Sequence, residues 1–481
     1  VLNNSQPWKL AESFSPSQVT ANDDLGKSVI ISSDQRTAAC STGEGNGTVH
    51  IYTIDDFNTW SESQSLSPED SHVGSFGASM SINNDNMLFV GAPTTDNKGA
   101  IYVLSIDNGV IAYNQILYHS SMASSAQLGQ SVAASKDGKW LYASAPGAGT
   151  IRAYKLKETD TTTYNYTGDN ANTDFDFPVV YPGATPLDMK VTVDGIMQVP
   201  YLDYTINGGS TAVVLTTPPS TGSAVTVEYS SYYVYVGEMS NPSSNNSFGQ
   251  VIATSTDGSQ ILASASTESI TINQKSYTAG SVYVFDRTIE SFIANGSTYA
   301  FTSTFTPNNI TVTVDGIEVS SSSYSIAGNT VTFVAQPAAD AIVTFETNAF
   351  INVARIAPPE SDVVESLKYG TDIALCSNNC SVYVGTPGYI NDSGDRGSVY
   401  RHVNVSRLYG NIRGTVINPT VTAGHKISLN NFNITFTGNT LTSVIDDINN
   451  ANLPGVRASN DGNQLLIETD SQLTFNKLRI S

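Results

Sequence analysis

Carboxylates spaced closely on a turn are the first candidates for chemistry in this sequence. A hard cation such as calcium needs about six to eight oxygens, several of them charged. The run NDSGD supplies the best set, Asn391, Asp392 and Asp395, and Asp174 with Asp176 is a second. Five other turns, SSDQRT, NNDNML, SKDGKW, STDGSQ and SNNCSV, hold at most one carboxylate each, too few for such an ion. No metal and no cofactor is therefore expected, with Asn391, Asp392 and Asp395 kept as cation candidates. Ser28, Ser79 and Ser131 each follow Gly-x, as a hydrolase nucleophile does on its turn, but they recur in register and read as repeat residues. His50, His72, His119, His402 and His425 are scattered and form no zinc spacing. Gly43, Gly45 and Gly47 imitate part of a phosphate loop, but no helix follows. No catalytic residue emerges. Cys376 and Cys380 flank the polar turn CSNNC and could meet across a hairpin, whereas Cys40 has no evident mate. Three cysteines do not make a disulfide framework. Tyr232, Tyr233 and Tyr235, read as exposed, could serve a binding site, although a strand edge is their plainer role.

The elements that must position these residues are strands. In 481 residues there are 22 Lys+Arg and 43 Asp+Glu, a net charge of −21 with only 14% charged residues. Solvated helix bundles need far more Glu, Lys and Arg on their outer faces. So acidic a surface also repels phosphates, which disfavours nucleic-acid binding. The polar surface comes instead from Ser, Thr, Asn and Gly, and 24 Tyr and 17 Phe accompany many Val and Ile residues. That is the composition of β-strands joined by tight turns. No run of 18 apolar residues occurs, so no transmembrane helix and no membrane insertion are expected.

Five segments share one pattern: LGKSVIISSD, FGASMSINND, LGQSVAASKD, FGQVIATSTD and YGTDIALCSN. Each has a large apolar residue, then Gly, then an alternating strand that ends on Asp34, Asp85, Asp137, Asp257 or Asn378. Asp and Asn there can bond their own backbone two residues on. A second strand follows, as in MLFVGAP, WLYASAP, ILASAS and SVYVGTP, then a third led by Gly47, Gly99, Gly149, Gly280 or Gly397. A fourth is expected between units, around Trp8 and Gln115. Four short antiparallel strands repeated about every 50 residues make a propeller blade.

The Phe-Gly opening, the Gly-Ala-Pro and the Gly-x-Val-Tyr closing strand resemble FG-GAP repeats of integrin-type propellers, over roughly half the chain. The resemblance implies an all-β, FG-GAP-like β-propeller with five blades visible. The marker glycines, Gly26, Gly77, Gly129, Gly249 and Gly370, are separated by 51, 52, 120 and 121 residues. Two inserts of about 70 residues are therefore expected, one after the third closing strand and one after the fourth. They match each other at the Val-Asp-Gly turns of Asp194-Gly195 and Asp315-Gly316, strong hairpin signals. Each reads as a small β-sandwich and resembles a module of bacteriophage tail-fibre proteins. In the last segment Leu441, Val444, Ile445 and Ile448 fall on one helix face, with Thr440 as N-cap and Pro454-Gly455 as a stop. That segment resembles the ββαββ module of flagellin and hook proteins. The expected division is 1–160 for blades 1–3, 161–232 for the first insert and 233–288 for blade 4. The second insert takes 289–350, blade 5 351–410 and the α+β module 411–481, with any missing blade beyond Ser481.

The combination resembles the nozzle-type tail proteins of short-tailed phages. That resemblance implies a structural part of the virion tail that walls the DNA conduit or docks fibres, without enzyme activity. It further implies self-association into a ring such as a hexamer, contacts with adaptor and fibre proteins, and assembly in the host cytoplasm. An acidic wall suits such a conduit, since DNA slides along it without sticking. The second reading is an extracellular or surface adhesin whose propeller binds a glycan or a protein.

Overall fold

The computed structural model describes Ser13, Pro16 and residues 24–469, apart from 43–44, 69–73, 108, 159–160, 178–184, 244–246, 304–309, 365, 376–380, 391–395, 404–410, 414–425, 430–431, 451–455 and 462–463. Among the described residues nearly every element is an antiparallel strand, and the single α-helix is Leu441–Asn450. No helix among them is long and apolar enough to cross a membrane. The chain is all-β with propeller-like stacking of its sheets.

Each repeat unit builds one meandering sheet. The first joins Val29–Ile31, Thr37–Ser41, Val49–Ile54 and Trp60–Leu66, and the second Ser79–Ile82, Met87–Ala92, Ala100–Asp107 and Val110–Tyr118. The expected fourth strand around Gln115 is thus present, while Trp8 lies outside the described residues. The marker glycine of the third unit shows why the motif needs Gly. Gly129 has φ 90°, and a Cβ on it would stand 2.5 Å from the Ala100 carbonyl oxygen. The turn chemistry holds at Asp34, Asp137 and Asp257, while Asn378 lies outside the described residues. The Ser135 hydroxyl donates to Asp137 (2.6 Å), which accepts from Lys139 N–H (3.1 Å), while Trp140 N–H donates to Ser135 Oγ (2.9 Å). The same set recurs at Ser255, Asp257, Ser259 and Gln260 and at Ser32, Asp34, Arg36 and Thr37. In the second unit Asn83 takes the acceptor's place, receiving the N–H groups of Asp85 and Met87. These turns also bond to one another across units: Asn84 N–H donates to the Lys136 carbonyl (3.0 Å) and Lys136 N–H to the Thr256 carbonyl (2.8 Å). Four apolar layers lie between successive sheets, so the sheets stack face to face.

Between the third and fourth strands of the third sheet stands a β-sandwich. Thr162–Thr167, Ala224–Tyr229, Met189–Val193 and Ile196–Met197 form one sheet; Asp174–Asp176, Ala212–Leu215 and Tyr204–Ile206 form the other. Phe175, Met189, Val191, Tyr204, Val213 and Val227 fill the space between them. A second sandwich has the same strand order, built on Ser281–Asn295, Ala339–Ile356, Ile310–Val314 and Ile317–Glu318. In both, the Val-Asp-Gly hairpin is held by one clamp. Asp194 N–H donates to the Ala224 carbonyl (2.8 Å), and Ala224 N–H returns to the Asp194 carboxylate (2.8 Å). Asp315 and Ile342 repeat both bonds at 2.8 Å.

The strand pairing moves the expected boundaries. Tyr232–Ser240, which the division at 232/233 gave to the fourth unit, is the last strand of the third sheet, with Tyr233 opposite Leu156. Ser281–Asn295 runs unbroken from the fourth sheet into the second sandwich, and Ala339–Ile356 returns along it, ending with Ile356 opposite Val282. The chain therefore leaves the third and the fourth sheet after the third strand of each and comes back as the fourth. Unbroken alternation of apolar and polar residues hides such a crossing in sequence. In the last segment Leu441, Val444 and Ile448 are buried and Ile445 is half-buried, as the helical spacing predicts. Ser443 N–H donates to Thr440 Oγ1 (3.2 Å), which makes Thr440 the N-cap.

Candidate ligand groove at a sheet–sandwich junction

Among the described residues, those singled out for chemistry are not brought together. Asn391, Asp392, Asp395, Cys376 and Cys380 lie outside the described residues, as do His72 and His425. Asp174 and Asp176 are exposed on either side of the buried Phe175. Among the described residues no three His, Cys, Asp or Glu side chains are placed to hold a metal ion. Ser79 and Ser131 tie neighbouring units together, Ser79 Oγ donating to the Gly129 carbonyl and Ser131 Oγ accepting from Ile252 N–H. Gly47 is a packing residue: a Cβ there would stand 1.9 Å from the Phe76 carbonyl oxygen. The histidines serve separate sheets. His50 meets Glu62 at 2.7 Å, His119 meets the Tyr154 hydroxyl at 3.0 Å, and His402 meets the Tyr369 hydroxyl. Burial, with the Arg152 guanidinium nearby, pushes the His119 imidazole down to about 3. The three tyrosines need correction. Tyr232 and Tyr233 are buried and Tyr235 alone is exposed; their strand is the outer strand of the third sheet, the plainer role expected of it, and Tyr233 is buried because it packs on Phe89 in the apolar layer shared with the second sheet.

A groove opens where the first sandwich leans on the second sheet. The hairpin at Asp194–Met197 reaches over the outer strand Val110–Tyr118 and leaves a cavity of about 320 Å³ on one side and about 310 Å³ on the other. Both cavities are lined by Tyr113, Gly195 and Met197. Leu66, Ser67, Pro68 and Asp194 complete the first; Lys190, Thr192, Thr226 and Glu228 complete the second. Alternation places the groove residues: Lys190 and Thr192 lie opposite Glu228 and Thr226, so all four share one sheet face. The Tyr113 ring meets Tyr102 edge-on at 6.3 Å between centroids.

The junction is fixed, not loose. Met197 and Val199 of the sandwich belong to the apolar layer that contains Tyr102 and Ile116. Gln115 is 4% exposed and reaches three ways. Its amide donates to the carbonyls of Leu187 (2.7 Å) and Tyr233 (3.0 Å) and accepts from Tyr233 N–H (2.8 Å). Ser67, Tyr113, Met197 and Glu228 were not foreseen. Only the Asp194-Gly195 turn was visible in the sequence, and its type says nothing about what it leans on.

The second sandwich supplies an internal comparison. Its Glu346 occupies the position of Glu228, four residues on from the residue each Asp clamp holds. There the carboxylate is taken up: Lys155 lies 3.2 Å from Glu346, and Arg287, its side chain only 2% exposed, pairs with the same carboxylate. Arg287 also stacks on Trp140, 4.0 Å from the ring centroid. Glu228, by contrast, has Lys190 at 3.8 Å and the Ser230 hydroxyl at 3.2 Å.

No protein-family model and no curated protein matches the chain. Among solved structures it is similar to the periplasmic gluconolactonase of Pseudomonas aeruginosa, at 13% identity and TM-score 0.35, covering 96% of this chain and 88% of that one. It is also similar to a protein from Lactobacillus plantarum, at 10% identity and TM-score 0.35, covering 78% and 71%. A proposed 6-phosphogluconolactonase from Bacteroides uniformis follows at 8% identity and TM-score 0.30, covering 79% and 85%. These findings overturn two expectations. The gluconolactonase and the 6-phosphogluconolactonase among these neighbours carry enzyme names and not virion names, so the tail-protein reading is withdrawn, and with it the expectation that the chain is not an enzyme. At TM-scores of 0.30–0.35 the likeness brings no lactone chemistry to this chain either.

Proposed function

We propose that this chain is a ligand-binding protein whose site is the groove across Tyr113. We further propose that its sheets are five FG-GAP-like blades, with the two sandwiches inserted between third and fourth strands and a flagellin-like ββαββ module last. One observation carries the functional reading. The same carboxylate position occurs in both sandwiches, and Lys155 and Arg287 take it up at the second while Glu228 lines an open cavity at the first. Small-molecule sites favour junctions between bodies, with an apolar wall and a few convergent polar groups. The groove has that make-up: Tyr113, Ile116, Met197 and Pro68 against Asp194, Glu228 and Thr226. The stacked sheets serve as a rigid frame, since Gln115 and the Met197 contact hold the sandwich in place.

The test is ligand-observed NMR with a mixed library of sugars, amines, nucleosides and organic acids. Thr226→Trp fills the groove from a half-buried position without entering the core. Hits that Thr226→Trp and Tyr113→Ala both abolish support the reading. Hits that neither variant weakens, or no hits at all, refute it.

A further inference from the structure

We infer that the ligand is an uncharged oligosaccharide, with the Tyr113 ring lying against a sugar face and the Glu228 carboxylate accepting its hydroxyls. This rests on the reading of the groove as a ligand site. Three features of the groove select the chemistry.

The first is shape. Two cavities of about 320 and 310 Å³ share Tyr113, Gly195 and Met197 in their walls. Each alone is at the small end of ligand pockets, which run from about 300 to 1,000 Å³. A chain of repeating units fits such a pair better than one bulky molecule. A sugar ring carries C–H groups on its faces and hydroxyls on its rim. An aromatic ring offers an apolar surface with a negative face, which suits those C–H groups.

The second is the donor and acceptor set. Thr192 presents a hydroxyl, those of Ser67 and Thr226 also meet Thr48 Oγ1 and Asn165 Oδ1, and Asp194 and Glu228 present carboxylates, the former already accepting from Ala224 N–H. An ionised carboxylate is acceptor-only and offers about four lone-pair sites. Glu228 gives one to the Ser230 hydroxyl at 3.2 Å and leans on Lys190 at 3.8 Å. Glu346, in the equivalent place, is taken up by Lys155 and Arg287. Sugar hydroxyls would complete the coordination of Glu228 with charge-assisted hydrogen bonds, about twice as strong as neutral ones.

The third is charge. The lone ammonium among the lining residues, Lys190, already faces Glu228, and the chain carries −21 overall. Anionic ligands would enter against that field.

The experiment is isothermal titration of the full chain with hexamers of glucose, mannose, xylose and N-acetylglucosamine, alongside oligogalacturonate and oligolysine. The expected result is binding of at least one neutral hexamer and no comparable binding of the charged ones. Tyr113→Ala and Glu228→Ala should each weaken it about tenfold or more, as losing a charge-assisted bond or a stacking face does. Glu228→Gln should recover part of that loss, because an amide oxygen still accepts. Ser291→Ala, on the second sandwich, should leave affinity unchanged, and unaltered unfolding curves should show that each variant is folded. Tighter binding of oligogalacturonate or oligolysine, or neutral binding untouched by Tyr113→Ala, overturns the inference. A groove ligand of another class in the library screen, with no hexamer bound, overturns it while leaving the groove reading standing. No groove ligand in either experiment overturns both.

Discussion

Gln115→Leu isolates the contact that seats the first sandwich. The two side chains are close in volume, so the change leaves little cavity and acts mainly through polar groups. Three hydrogen bonds are lost, at 2.7, 3.0 and 2.8 Å, in a site that is 4% exposed. The Tyr233 N–H and the Leu187 carbonyl lose this partner, and an unsatisfied buried group costs about 1–3 kcal/mol. Burial of the new apolar side chain returns about 1–2 kcal/mol. The expected net loss is about 2–4 kcal/mol in unfolding free energy. Urea unfolding followed by tryptophan fluorescence measures it, since Trp140 is buried beside Tyr142 and Arg287. Hydrogen exchange localises it: amides around Leu187 and Tyr233 should lose protection first, while those of the first sheet keep theirs. A midpoint within experimental error of the wild type, or a loss without faster exchange at Leu187 and Tyr233, would refute the claim that Gln115 seats the sandwich.

Asp194→Ala and Asp315→Ala should each destabilise by about 2 kcal/mol, because each breaks a clamp and places Ala at a left-handed φ, whereas Asn in either place should cost much less; parallel melting curves check this. Glu346→Ala should cost about 3–5 kcal/mol by leaving Arg287 buried without its anion, and the double variant with Arg287→Met should recover part of it, read by urea midpoint. His119, pushed down to about 3, is held neutral in the fold but takes a proton below about 6.5 when unfolded. Its contribution is thus fully present above about pH 6.5 and lost as pH falls toward 3; between pH 6.5 and 5 the loss should be about 2 kcal/mol, and His119→Gln should remove that part of the pH dependence.

Local rules reached the sequence directly. The glycines that open each unit are needed for a left-handed φ, and Gly129 for a close backbone approach as well; the Asp turns at Asp34, Asp137 and Asp257 accept N–H groups of their own backbone, and the Val-Asp-Gly hairpins demand Asp and Gly whatever they touch. The helix face of Leu441, Val444 and Ile448 follows from period alone. These features depend on residues a few positions apart, so composition and spacing determine them. Which strand completes which sheet did not follow, because Tyr232–Ser240 alternates equally well as the end of one unit or the start of the next. Nor did the burial of Tyr233, which Phe89 of the neighbouring sheet imposes. The groove belongs entirely to the tertiary level. Gln115 and Tyr233 stand 118 residues apart, and Tyr113, Met197 and Glu228 meet only because a sandwich folded elsewhere is docked on a finished sheet. Nothing in the alternation of either strand records that meeting; it is decided by the apolar layer around Met197 and by the hydrogen bonds of one buried amide.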